Sequence, residues 1–314
     1  MLTEKTVVLA KIETLAAYGT DAAPTNTENF IAAHNISVAP NTSWNDTQGQ
    51  DCSMSPREGT LGRQYMDITF DYELQASLAS PLTLPCGPLL QACGFAYDTS
   101  GVYTPYTTYP AEASSVTLWA YLDNQLWKST GARGNVSFTF TAGEPVMLSF
   151  TFQGLYGGGF TDSTFPTTCT EFGGKPLVAI NQALAWGSDA PEVESLSFSL
   201  NNELYARPTM DDARAYGIAG IDITKRNGDG SFNPLATTTA DIAFLTAFAA
   251  GTATAISYVV GDAVGTVTFS LPKTQLMNIS PGDRSGTRIF DFPFRLAQSA
   301  GNDEITITCA AAAA

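Results

Sequence analysis

The chain has 314 residues, with 30 acidic against 15 basic side chains, a net charge of −15, and only 14% of residues charged. That balance argues against binding nucleic acid by neutralising phosphates, which needs clustered Lys and Arg. It keeps a protein soluble, and it equally suits a surface that repels DNA. Thr, Ser, Gly and Ala take the place of charges, a composition suited to a protein largely covered by copies of itself.

Five cysteines (Cys52, Cys86, Cys93, Cys169, Cys309) and the single His34 form no metal-ligand spacing. Free thiols in a reducing compartment are expected, with no metal and no cofactor. The opening Met1–Thr6 lacks a signal-peptide pattern, and no run of about 18 apolar residues exists to span a membrane. The expectation is synthesis in the cytoplasm, solubility until assembly, and no membrane partner.

Taken in order, residues 1–50 read as an N-terminal arm that must lie against its own domain or a neighbour. Within it, Glu4–Ala16 fits a strand or a short helix, and Tyr18–Pro24 a turn. From Arg63 to Gln75 the alternation is strict. Gln64, Met66, Ile68, Phe70, Tyr72 and Leu74 share one face; Asp67, Thr69, Asp71 and Glu73 share the other. This predicts a long, half-buried antiparallel strand.

Pro85–Gly94 predicts a compact helix between two breakers, and Thr99–Pro110 a loop. Strands follow over Ser115–Tyr121 and Leu126–Ser129, then Gly131–Gly134 leads into a hairpin of Asn135–Thr141 with Val146–Phe152.

The second half reads alike. Ala219–Thr224 is strand-like, and Asp241–Gly251 predicts a helix with Asp241 as N-cap and Gly251 beyond its end. Strands follow over Ala255–Val260, Thr266–Leu271 and Ile289–Leu296. Pro293 has no backbone donor, so its strand should meet an edge or a bulge there. Met66–Thr69 and Ile221–Thr224 look like one anchor repeated. The expected organisation is an arm (1–50) and two β domains (51–180 and 181–314).

No catalytic constellation emerges. Gly154–Gly159 lacks the Lys-Ser/Thr of a phosphate loop. Asn227–Gly230 lacks the closing Glu of a calcium loop and reads as a hairpin turn. One histidine cannot support triads, and the carboxylate pairs Asp211–Asp212 and Asp67/Asp71 read as solvated faces. An enzyme is not expected.

Several segments carry a family likeness: Glu13–Pro24 (ETLAAYGTDAAP), Leu89–Phe95 (LLQACGF), Tyr103–Tyr106, Ser115–Asn124 (SVTLWAYLDN), Lys128–Phe138 (KSTGARGNVSF) and Pro145–Tyr156. With these the chain resembles the major tail (tail tube) proteins of long-tailed, non-contractile bacteriophages. The resemblance implies a mainly β fold: tandem β-sandwich or barrel tube domains, each with a short flanking helix, plus the extended arm.

It also implies a structural virion protein of the phage tail that stacks as rings into a conduit for DNA, without binding it specifically. The ring would be a homotrimer if the chain carries two fused tube domains, or a hexamer with a decorating outer domain. A tape-measure protein and tail-end proteins would be partners. Asp67, Asp71, Glu73 and, in the second copy, Asp222 become candidates to face the lumen; an ordinary solvated strand face is the competing account. Tyr18, Tyr103, Tyr106 and Tyr109 become candidates for inter-subunit contacts, or they pack on their own domain. Two other readings stay open: a two-domain β-sandwich binding module displaying Trp44, Trp119, Trp127 or Trp186 to carbohydrate or a host surface, and a head-decoration or tail-terminator protein.

Overall fold

Period-two alternation of apolar and polar residues drives most of the chain into antiparallel strands. The computed structural model describes residues 5–49, 52, 54–77, 83–107, 113–170, 173–180, 184–211, 215–236, 238–261 and 265–311. Its first half runs β1 (Thr6–Ile12), β2 (Phe30–Ile31), β3 (Ala33–Asn45), β4 (Thr60–Glu73), β5 (Gln75–Ser77), α1 (Gly87–Ala92), β6 (Phe95–Tyr97), β7 (Val102–Pro105), β8 (Val116–Leu122), β9 (Gln125–Thr141) and β10 (Met147–Asp162). After β11 (Gly173–Pro176), which pairs with β5, the second half runs β12 (Ala185–Trp186), β13 (Val193–Ser199), β14 (Asn202–Pro208), β15 (Ile218–Arg226) and β16 (Asp229–Pro234). It ends with α2 (Thr238–Ala250), β17 (Ala253–Gly261), β18 (Gly265–Leu276), β19 (Ser280–Arg284), β20 (Thr287–Leu296) and β21 (Thr306–Ala311). The architecture is mainly β, with large antiparallel sheets and few helices.

The duplication is written in the pairings. β1–β8, β8–β9, β9–β10, β10–β4 and β4–β3 in the first half recur as β12–β17, β17–β18, β18–β20, β20–β16 and β16–β13 in the second. In each half the helix sits between the β4-type strand and the β8-type strand. The repeated anchor expected at Ile221–Thr224 is therefore misplaced. The counterpart of β4 is β16, and β15 belongs to a hairpin, β14–β15, inserted between β13 and β16. β15 and β16 do not pair, so Asn227–Gly228 links two sheets and is not a hairpin turn.

β4 keeps its expected faces: Met66, Ile68, Phe70, Tyr72 and Leu74 are all buried. Residues 6–12, expected within an arm, lie against their own domain as β1, with Val8, Leu9 and Ala10 buried along β8. Gly131–Gly134, expected as a lead-in, lies inside the 17-residue β9. There the register against β10 shifts between Gln153 and Leu155, a bulge of the kind that lets paired strands bend. Gly131 has φ +59, and a Cβ on it would stand 2.8 Å from the Tyr18 ring.

α2 begins at Thr238, so Asp241 is inside its first turn and not at the N-cap, whereas Gly251 has the positive φ (+63) expected beyond the helix end. Pro293 meets its expected bulge. It lies where the partner of β20 passes from β18 to β19, and its carbonyl accepts from Met277 N at 2.9 Å.

The halves join edge to edge. β13 of the second half pairs with β9 of the first from Ser195↔Thr141 to Ser199↔Ser137. Beneath this seam Phe138 stacks on Phe198 at 5.0 Å, and Phe140 meets Phe269 at 5.0 Å. Each buried phenylalanine contributes about 1.5–3 kcal/mol by leaving water, so the seam is held as firmly as a core. β21 adds a second tie by pairing with β7 of the first half, Ile307↔Tyr103.

Candidate functional site

The seam makes one continuous sheet of eight strands in the order β3-β4-β10-β9-β13-β16-β20-β19. Its inner-facing residues are the phenylalanine-rich core. Its other face is a field of hydroxyls and amides: Thr69, then Ser149, Thr151 and Gln153, then Asn135, Ser137 and Thr139, then Ser195 and Ser197, then Ser231 and Asn233. Across the middle strands, residues 65–73, 147–153, 135–141, 195–199 and 229–233 contain no Lys or Arg at all.

Asp67, Asp71 and Glu73 lie on this face near the β3 side. Asp71 accepts from Ser149 Oγ at 2.6 Å and Asn35 Nδ2 at 2.9 Å. Burial alone would raise its pKa, but these donors and the neighbouring His34 outweigh it and hold the carboxyl below its ordinary value. Asp67 accepts from Asn41 Nδ2 at 2.6 Å and Gln153 Nε2 at 3.3 Å. There burial prevails over the two amide donors, and the pKa is raised. Glu73 stands opposite Met147 at the strand end.

Asp222 is not their counterpart. It sits on β15, outside the continuous sheet, between Arg133 Nη1 at 3.1 Å and Arg207 Nη1 at 3.2 Å. The position that faces the polar field in the second copy is Asp229 on β16, which accepts from Asn201 Nδ2 at 2.6 Å.

The tyrosines expected at subunit contacts pack on their own chain. Tyr18 Oη donates to Gly131 O at 2.8 Å and accepts from Ile221 N at 2.7 Å, and burial pushes its pKa up to about 12. Tyr103 is buried in the core, its Oη accepting from Leu84 N at 3.2 Å. Tyr106 is buried against the Arg226 guanidinium. Tyr109 lies outside the described residues.

A polar clamp that sequence reasoning missed surrounds Tyr18. Glu13, buried at the end of β1, accepts from Gly19 N, Ser115 Oγ, Thr117 Oγ and Gly131 N at 2.6–2.8 Å. Arg133 donates to Ala113 O, Ile221 O and Asp222, pinning the inserted β14–β15 hairpin across the first half. Little in the spacing of Glu13 and Arg133 announces this, because, of these bonds, all but those to Gly19 and Ala113 span 88 to 118 residues.

Both ends of the eight-stranded sheet are open. Among the described residues β3 pairs only with β4 along residues 33–45, and β19 pairs only with β20. Each edge carries a proline, Pro40 and Pro281, a common guard against indiscriminate strand pairing. Nothing among the described residues groups three or more His, Cys, Asp or Glu in reach of one metal ion. Of the four tryptophans, Trp44 alone is mostly exposed, near the tip of the β3–β4 hairpin.

A search among curated proteins returned no match. The profile of the family described as phage tail tube protein matches residues 3–311, nearly the whole chain. With its tandem β architecture and a polar sheet open at both edges, the chain belongs to the phage tail tube protein family.

Proposed function

We infer that this protein, as a member of that family, serves as a structural component of the virion tail. We propose that three copies close into a ring, and that stacked rings form a tube whose bore is the hydroxyl- and amide-lined face. The observation that carries this is the internal seam. β13, the counterpart of β3, already pairs with β9, whose counterpart is the end of β18 continued by β19. The two open edges, β19 and β3, are thus the second-half and first-half versions of strands that pair within the chain. Joining them between chains repeats the seam and leaves no free edge.

Three chains of eight strands make a barrel of about 24 strands, wider than the 16–18-stranded barrels that already leave an aqueous channel. Duplex DNA in such a bore would meet hydroxyls, amides and a few acids, with Arg295 of β20 beside Asp229 but no cation along the middle stretches of β4, β10, β9, β13 and β16 to hold its phosphates. The wall would therefore let DNA slide without specific binding. Assembly in the host cytoplasm around a tape-measure protein, with tail-end proteins closing the tube, completes the reading.

Negative-stain microscopy of concentrated protein tests it. Tubes with a regular axial repeat and threefold rings are expected. Sixfold rings would replace the trimer by a hexamer, and strict monomers at every concentration and salt would favour a binding module using Trp44.

A further inference from the structure

The two helices differ in what covers them, and the duplication says what is missing. α1 is largely enclosed, with Leu89, Leu90 and Ala92 at 0% exposure and only Pro88 and Gln91 half-buried. Part of its cover comes from β7, whose Tyr103 lies over Gly87, and β7 is in turn paired with β21 of the second half at Ile307↔Tyr103. Among the described residues α2 has no such cover. It passes through Gly251–Thr252 straight into β17, with no counterpart of β6 and β7. Phe244 and Ala247 face the core, but Leu245 and Phe248, three residues apart on the outer side, are 48% and 39% exposed.

The covering strand has a bare counterpart too. β21 flanks β18 just as the distal part of β10, residues 155–162, flanks β9. On β21, Ile307 and Cys309 are 0% and 7% exposed because the first half lies on them; on distal β10, Phe160 is 47% exposed, its ring resting on Trp127 at 5.4 Å. Within one chain, then, the flanking strand of the second half lies, through β7, on the helix side of the first. The helix of the second half and the flanking strand of the first are left over.

We propose that these leftovers meet between chains: α2 of one copy docks on distal β10 of the next copy, burying Leu245 and Phe248 against Phe160. The partner is a second copy of this chain, and the inference rests on the ring reading above. The contact repeats, on the outer wall, the one that β21 makes with the α1 side inside each chain. It gives the ring a second, apolar fastening outside the backbone seam.

Cross-linking separates the two claims. In chains carrying Cys52→Ser and Cys169→Ser, leaving only the buried native cysteines, Phe160→Cys protein is mixed with Phe248→Cys protein and treated with a short bismaleimide. A covalent dimer is expected in the mixture and in neither protein alone. A Ser37→Cys, Asp283→Cys double variant reports the β3–β19 seam in parallel. Seam cross-links without the Phe160–Phe248 product would overturn the helix contact while sparing the ring; absence of both products would overturn both. As a second readout, Leu245→Asp with Phe248→Asp should raise the concentration needed for assembly at least tenfold without changing the monomer's melting temperature. Unchanged assembly would also reject the contact.

Discussion

The two halves of the chain share every pairing of their central strands but are held together by different chemistry. The first half adds to its Phe70–Phe150–Phe152 cluster a set of buried polar groups around its bend: Glu13 with four donors, Arg133 spread over backbone carbonyls and Asp222, and Tyr18 bridging Gly131 to Ile221. The second half relies on rings. Phe244 lies 4.4 Å from Trp186 and 4.7 Å from Phe292, and Phe232 lies within 6 Å of Phe244, Phe292 and Phe294. One topology can thus be filled in two ways. What the fold conserves is strand order and a wet face, not particular contacts.

The largest effect should come from the ring cluster. Phe244→Ala removes a side chain at 1% exposure and should cost about 3–5 kcal/mol; Leu90→Ala in α1 should cost about 2–5 kcal/mol. Because the β9–β13 seam and the β7–β21 tie join the halves, denaturant unfolding of either variant should remain a single transition. Two transitions, with one variant moving only one of them, would show that the halves do not share a core.

The polar clamp comes next. Arg133→Ala leaves Asp222 with its half-exposed partner Arg207 and leaves several buried carbonyls without a donor. It should lose about 3 kcal/mol, while Arg207→Ala, at 53% side-chain exposure, should lose about 1 kcal/mol or less. Equal losses would mean the clamp is no firmer than a surface ion pair.

A glycine pair refines the same point on a smaller scale. Gly143 and Gly131 both have positive φ, but Gly143 faces open space while Gly131 faces the Tyr18 ring. Gly143→Ala should cost about 1 kcal/mol from backbone strain alone. Gly131→Ala should cost visibly more in thermal melts, and parity would remove Tyr18 from the clamp.

The smallest effect is in pH dependence. Asp71 has a lowered pKa, so its ionised form adds stability that is present above the unfolded value near 3.8 and lost as pH falls through the folded value below it. Asp67 has a raised pKa, so its contribution is full below the unfolded value and lost as pH rises through the folded one. Melting between pH 2.5 and 7 should show Asp71→Asn flattening the acid limb, and Asp67→Asn leaving neutral stability equal or slightly higher. The same flattening in both variants would contradict the opposite shifts.

Much of the fold could be read ahead of the structure, and the misses have a common cause. The faces of β4, the position of α1, the end of α2 at Gly251 and the bulge at Pro293 follow from alternation, breakers and a missing donor, all within a few residues. The likeness of Met66–Thr69 to Ile221–Thr224 was a local coincidence, since short alternating runs recur in any β-rich chain. The true counterpart, β16, reads Asp-Gly-Ser-Phe-Asn-Pro and shares only its pairing pattern with β4. Asp67 and Asp71 were legible as a wet face. That Ser195–Ser197 and Ser231–Asn233 extend that face was not, because it depends on β9 meeting β13 across about 60 residues of chain.

By itself the sequence determined the amphipathic central strands and which side of each is wet, because period-two alternation settles that through local backbone geometry and burial. It missed β7 inside the expected Thr99–Pro110 loop and β3 inside the expected arm. It also carried enough diffuse likeness to point to the tail tube family. Only the tertiary structure decided which strands are neighbours, that Asp222 is clamped between arginines, and that two strand edges and one helix face remain open. Those outcomes depend on contacts between residues far apart in the chain, and hydrogen-bond partners at such distances leave no periodic trace.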